Sequence, residues 1–212
     1  MKNLEPKLRT RRISPKDLIW NDRGSGADAD GSFWTYRGHF TYQENYKLLG
    51  DTLCGQPNWK NSPCGQMMLV EDNGDGILAK PIGSKKIWTD AGSGADRDVA
   101  VFRLIPPNEY ICLGNVALGD YDTGDYPNLD RYRCVRRDYV EEAFVGQVLW
   151  TDRGSGAFDD FAGYSIDDTH TTETVGLFTT VSEMGSFILN PFYHVYRADA
   201  VYGLKSSKLI FL

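Results

Sequence analysis

Asp22, Asp90 and Asp152 each stand two residues ahead of a Gly-Ser-Gly, and a second aspartate, Asp30, Asp98 or Asp160, follows eight positions later. Two carboxylates with a serine hydroxyl and backbone carbonyls between them form an oxygen-rich set that could hold calcium or accept hydrogen bonds from sugar hydroxyls. The same residues have a plainer use. An Asp beside a turn accepts hydrogen bonds from the turn's own N–H groups, and glycines around a serine reach backbone torsions closed to other residues. Both readings apply three times, because "WNDRGSGADAD" from Trp20, "WTDAGSGADRD" from Trp88 and "WTDRGSGAFDD" from Trp150 are versions of one another.

A second candidate set is not repeated. "GDYDTGDYPNLDRY", Gly119 to Tyr132, interleaves Asp120, Asp122, Asp125 and Asp130 with Tyr121, Tyr126 and Tyr132. An aromatic face for a pyranose beside carboxylates for its hydroxyls is what a sugar site needs, although an acidic Gly-rich loop is as easily a solvated one. Between Cys54 and Cys64, Trp59 stands next to Lys60. An indole beside a cation suits a lipid headgroup interface, and equally a cover over one end of the fold. Because binding residues sit on loops carried by a rigid frame, the expected contacts are Trp59, Asp120, Tyr121, Asp122, Asp125 and Tyr126. The six repeated aspartates are the alternative.

Catalytic constellations are missing from the pattern. His39, His170 and His194 share no repeat position. G-S-G is not the G-x-S-x-G elbow of hydrolases, and no G-x-G-x-x-G phosphate loop occurs. "DNGDG" at Asp72 to Gly76 has the start of a calcium loop, but the position that must be Glu is Gly83, so a hairpin turn is expected there. The chain reads as non-enzymatic.

The elements that position these residues are strands. After each motif come an aromatic (Trp34, Phe102, Tyr164) and further short runs: "YKLLGD", "YICLGN" and "TVGLFT", then "QMMLVED", "RYRCVRRD" and "YHVYRAD", then "SKKIW", "GQVLW" and "SKLIF". Gly, Asp, Asn and Pro clusters separate them, and helical periodicity is missing. The expectation is all-β: three roughly four-stranded repeats, about 17–84, 85–146 and 147–212, sharing one core because none can bury a face alone. Trp20, Trp88 and Trp150 would meet near a common axis. The final "KLIF" would pair beside "DLIW" and close the ring, removing an exposed edge.

The W-x-D-x-G-S-G-A-x-x-D pattern, with "VFRLIPPNEYICLGNVA" after its second copy, resembles the vacuolar protein sorting-associated protein 62 family and is similar to the multivesicular-body-associated β-prism group. The match runs from about Ile13 to the end, and "FAGYSIDDTH" in the third copy lacks the "PP…Y…LG" segment. The resemblance implies a pseudo-threefold β-prism closed by its terminal strands, used for docking onto membranes or sugars without catalysis. It also implies roles as the targeting component of a pore-forming or insecticidal-type toxin, or as a membrane-trafficking adaptor. The partners would be a cell-surface glycan or membrane lipid, with a partner toxin chain or a second copy of this chain.

Charge agrees with that partner class. Residues 1–17 carry net +4 within a total of −6, leaving −10 for the rest. An acidic body disfavours nucleic acid, while residues 1–12 read as a basic arm ahead of a domain at 13–212. No apolar run spans a bilayer and no apolar signal segment opens the chain, so a soluble protein is expected, cytoplasmic or exported by a non-classical route. Four cysteines lack zinc spacing. Cys54 and Cys64 could be bridged in an oxidising compartment, whereas Cys112 and Cys134, in strand-like apolar stretches, are expected to be buried free thiols.

Overall fold

The computed structural model describes residues 7–38, 45–55, 63–122, 124–168, 172–180 and 202–211. In chain order the strands are β1 (Leu8–Ile13), β2 (Asp17–Asn21), β3 (Gly31–Thr35), β4 (Lys47–Leu48), β5 (Thr52–Gly55) and β6 (Met67–Glu71). They continue with β7 (Leu78–Ala79), β8 (Gly83–Thr89), β9 (Val99–Ile105), β10 (Tyr110–Ile111), β11 (Asn115–Gly119), β12 (Cys134–Arg136) and β13 (Val140–Glu142). The last are β14 (Phe144–Thr151), β15 (Ala162–Asp167), β16 (Thr172–Glu173), β17 (Phe178–Thr180), β18 (Tyr202–Lys205) and β19 (Leu209–Phe211). The only helical pieces among the described residues are three short 3-10 turns, so the protein is all-β.

Each Trp-Asp-Gly-Ser-Gly copy sits between the first two strands of a three-stranded antiparallel sheet: β2-β3-β5, β8-β9-β11 and β14-β15-β17. The pairing slips just ahead of every motif tryptophan, between Leu18 and Trp20, Lys86 and Trp88, and Val148 and Trp150. Such a bulge re-aims the next side chain. The three indoles converge, with ring centroids 5.5, 6.0 and 6.5 Å apart and edge-on packing. Phe33, Phe161 and Phe178 complete this buried cluster.

Neighbouring sheets join at the bulges. A Cβ on Gly55 would lie 1.6 Å from the Leu149 carbonyl oxygen, and one on Gly119 would lie 2.6 Å from that of Ile19. Leu149 and Ile19 each precede a motif tryptophan, so a glycine at the end of one sheet seats against the bulge of the next.

Three further sheets, β19-β1-β6-β4, β10-β12-β7 and β13-β18-β16, cover the other side. Their apolar residues, among them Leu8, Val70, Val135 and Leu204, form a second buried cluster. β19 pairs in parallel with β1, Leu8 against Leu209, not with the "DLIW" strand β2. The reason is positional: β13 and β19 both follow a 3-10 turn at the end of the strand before them, so the final strand returns to where the chain began. Of the segment read as a basic arm, residues 8–12 therefore belong to a strand, with Leu8 fully buried.

Two other expectations change. The "DNGDG" turn is not a hairpin, because β6 and β7 lie in different sheets; Asp72 instead accepts the N–H groups of Ile77 and Leu78, both at 2.9 Å, and bends the chain from one sheet to the next. Cys112 and Cys134 are bridged, with Cα atoms 4.1 Å apart, as are Cys54 and Cys64. β10 pairs Tyr110 with Arg136 and Ile111 with Val135, so the next step brings the two sulfurs face to face. The "YHVYRAD" stretch lies outside the described residues.

Candidate functional site

Each Gly-Ser-Gly turn is built from its own residues. The serine N–H donates to the Asp carbonyl at 2.8–2.9 Å (Ser25 to Asp22, Ser93 to Asp90, Ser155 to Asp152). The serine hydroxyl accepts the alanine N–H two residues later at 3.1 Å in all three copies. Both glycines of every turn have positive φ, between 72° and 89°, where other residues are strained.

The turns are also tied to one another in a closed cycle. The indole Nε1 of Trp20 donates to the Arg97 carbonyl at 2.7 Å, that of Trp88 to Asp159 at 2.8 Å, and that of Trp150 to Ala29 at 2.8 Å. Backbone bonds follow the same sequence: Asp96 N–H to Arg23, Phe158 N–H to Ala91 and Asp28 N–H to Arg153. Two of the three junctions add an ion pair, Arg23 with Asp96 and Arg153 with Asp28, each at 3.3 Å. The third has Ala91 and Phe158 in those places. There the Phe158 ring lies over Gly92 and stays 83% exposed.

Asp22, Asp90 and Asp152 are buried inside this cap. Asp90 accepts the N–H of Val99 at 2.8 Å and Asp152 that of Phe161 at 2.9 Å. Burial raises all three carboxyls, opposed by the backbone hydrogen bond each accepts and reinforced by Asp30, Asp98 or Asp160 nearby. Asp22 and Asp152 are pushed up to about 6. Among the described residues no group of three or more His, Cys, Asp and Glu side chains is placed to hold a metal ion. The hydrogen bonds that Asp90 and Asp152 accept are those of a brace across the turn. Asp90→Ala is expected to lose about 1–3 kcal/mol by stranding the Val99 N–H, read as a lower melting temperature with unchanged attachment to a target surface.

The unrepeated acidic loop is held down at most of its length. Arg97 pairs with Asp120 and keeps its carboxyl below the usual range, first through the hydrogen bond and then through charge. Tyr121 packs against a third apolar cluster around Phe102, with the Lys86 ammonium 4.6 Å from its ring centre. Asp125 accepts the Asp122 N–H at 2.9 Å, closing a local turn. Lys80 bridges Asp130 at 2.6 Å. Tyr126, 64% exposed, rests 6.0 Å from Phe102 and still presents a face to water. Trp59 and the three histidines lie outside the described residues.

Two features escape a reading by motif. Asp51, fully buried, accepts the Tyr132 hydroxyl at 3.0 Å and the Ala117 N–H at 2.9 Å, and burial raises its carboxyl. Its partners are 81 and 66 residues away, so no local pattern announces them. Phe158 did leave a signal, since it stands where the other copies have Asp28 and Asp96.

Among the described residues no helix is long and apolar enough to cross a membrane. A comparison with curated proteins gives no significant match. Among solved structures, the crystal structure of GNIP1Aa from Chromobacterium piscinae is similar, with a TM-score of 0.77 and 26% sequence identity. The similarity covers 99% of this chain and 39% of that one, so this chain spans well under half of its structural relative. The family model for vacuolar protein sorting-associated protein 62 matches residues 7–209, nearly the whole length, and the chain belongs to that family.

Proposed function

We propose that the chain is a pseudo-threefold β-prism that acts without catalysis as a surface-recognition module, binding glycans or lipid headgroups through residues the repeat does not use. One observation carries this reading: the repeated tryptophan, first aspartate and serine side chains are buried within the turns, whereas Phe158, at the single junction that breaks the pattern, stands 83% in water. An exposed aromatic on a glycine-rich turn of a rigid frame has little packing to lose and a large apolar contact to offer. Tyr126 is a second face of the same kind.

The two disulfides support an exported chain, since such bridges persist in oxidising compartments. The length of the GNIP1Aa chain supports use as one module beside others, in which the prism is the targeting component that brings a partner to a membrane or cell. The test is a glycan array run beside flotation with phosphatidylcholine vesicles and phosphatidylserine-containing vesicles. Retention by a glycan class or a vesicle type is the expected result. A chain that binds neither, on the array, on vesicles or on cells, refutes surface recognition.

A further inference from the structure

At two of the three junctions of the cap a guanidinium meets a carboxylate, Arg23 with Asp96 and Arg153 with Asp28. In both, the acid lies over the first glycine of the neighbouring turn. A Cβ on Gly24 would meet the Asp96 carboxylate at 2.9 Å, and one on Gly154 the Asp28 carboxylate at 2.7 Å. At the third junction a Cβ on Gly92 would meet the Phe158 ring at 2.6 Å. The backbone bond is kept there, with the Phe158 N–H donating to the Ala91 carbonyl at 2.9 Å. The ring therefore takes the carboxylate's place in an unchanged frame, while the residue in the arginine's place, Ala91, carries no charge.

An aromatic face attracts cations through the negative potential above its ring, so Phe158 keeps the preference of the aspartates it matches without their charge. The surroundings act in the same direction. Apart from the three buried aspartates, the copies that begin at Trp20, Trp88 and Trp150 hold six aspartates against three arginines. Asp159, next to the ring in the chain, is exposed. Such a balance repels anionic headgroups and concentrates cations at the cap.

The exposure of the ring selects among cations. At 83% exposure it has no walls around it to replace the water of a strongly hydrated ammonium or to hold a peptide in register. A quaternary ammonium presents methyl groups instead of N–H donors, and aromatic faces are the usual means of recognising it. One ring holds one such group weakly. A membrane compensates by presenting many side by side. Phosphatidylcholine meets both conditions, because its headgroup is neutral overall and ends in the trimethylammonium.

We propose that the Phe158 face of the cap binds the trimethylammonium group of phosphatidylcholine. The assignment rests on the lipid form of the surface-recognition reading and names its headgroup. The intact chain is floated with vesicles of phosphatidylcholine and with vesicles of phosphatidylglycerol, and soluble phosphocholine and phosphoethanolamine are added as competitors that differ in their methyl groups. The chain floats with phosphatidylcholine and severalfold less with phosphatidylglycerol, and phosphocholine displaces it where phosphoethanolamine does not. Phe158→Leu, which keeps an apolar side chain and loses the ring, weakens attachment roughly three- to tenfold at an unchanged melting temperature, and Phe158→Tyr retains it. Failure to float with phosphatidylcholine overturns the proposal, as does equal displacement by the two competitors or attachment of Phe158→Leu equal to wild type. Retention on a glycan array that Phe158→Leu abolishes also overturns it, by placing a sugar on the ring. If the intact chain is held by a glycan, another vesicle or a cell but not by phosphatidylcholine, the choline assignment falls alone and surface recognition stands.

Discussion

Replacing Trp88 by alanine lowers the stability of the fold by about 3–5 kcal/mol, because a large cavity opens where three indoles meet and its walls come from different sheets. For a chain of this length that is a drop of roughly 10 °C in melting temperature. Trp20→Ala and Trp150→Ala behave alike, since each indole packs edge-on against the other two and each donates to a carbonyl of the next turn. The phenylalanine variant separates packing from hydrogen bonding. Trp88→Phe keeps an aromatic ring but strands the Asp159 carbonyl, and is expected to cost about 1–3 kcal/mol. Thermal melts of the four variants check this; alanine variants as stable as wild type would mean that the tryptophans do not hold the three sheets together.

The second large effect is a gain of stability on mild acidification. Asp22 and Asp152 bind their protons at about 6 in the fold against 3.8 for an ordinary aspartate, because burial disfavours the charge. Between those limits the folded state holds more protons than the unfolded one, so stability rises as pH falls. The contribution is complete below about 3.8 and is lost as pH rises through about 6. At ~1.4 kcal/mol per pH unit, each group accounts for up to about 3 kcal/mol. Asp90 shifts the same way. The exposed pairs Arg97–Asp120 and Arg136–Asp138 act in the opposite sense only below the ordinary carboxylate range, since their carboxyls are held down by their partners. A higher melting temperature near pH 5 than near pH 7.5 is therefore expected. Asp22→Asn removes part of the dependence and stabilises at neutral pH, because one Asp22 oxygen is buried without a hydrogen-bond partner and no longer carries charge. A melting temperature that falls steadily from pH 7.5 to pH 5 would show that these carboxyls are ionised in the fold at little cost.

The parts of the fold spelled three times were legible in the chain. The copies from Trp20, Trp88 and Trp150 announce strands, tight turns and a shared core, and the tryptophans do meet. What register decides was hidden. Cys112 faces Cys134 only because β10 and β12 pair one residue earlier in a fixed alignment, and no spacing in the sequence encodes that choice. β19 resembles the tryptophan strands in its residues but takes the place of the strand before them, since chain order outranks likeness. The acidic loop invited a reading by composition, yet two of its four carboxylates, Asp120 and Asp130, are met by Arg97 and Lys80, which lie far along the chain. Phe158 was in plain view as the one aromatic among matching aspartates. Only the exposure of its ring shows that the substitution points outward.

The claim that repeated residues build the frame while unrepeated ones meet the target is tested most directly at that junction. The double variant Ala91→Arg/Phe158→Asp restores the Arg–Asp arrangement of the other two turns and removes the exposed ring. Its binding isotherm on the glycan or vesicle that retains wild type is measured beside its thermal melt. The account predicts a melting temperature within about 2 °C of wild type, as for most surface changes, and attachment weakened about tenfold, the ~1.4 kcal/mol that one aromatic anchor supplies. An isotherm that overlays wild type while the melt is unchanged contradicts it, and would take the contact away from the Phe158 junction.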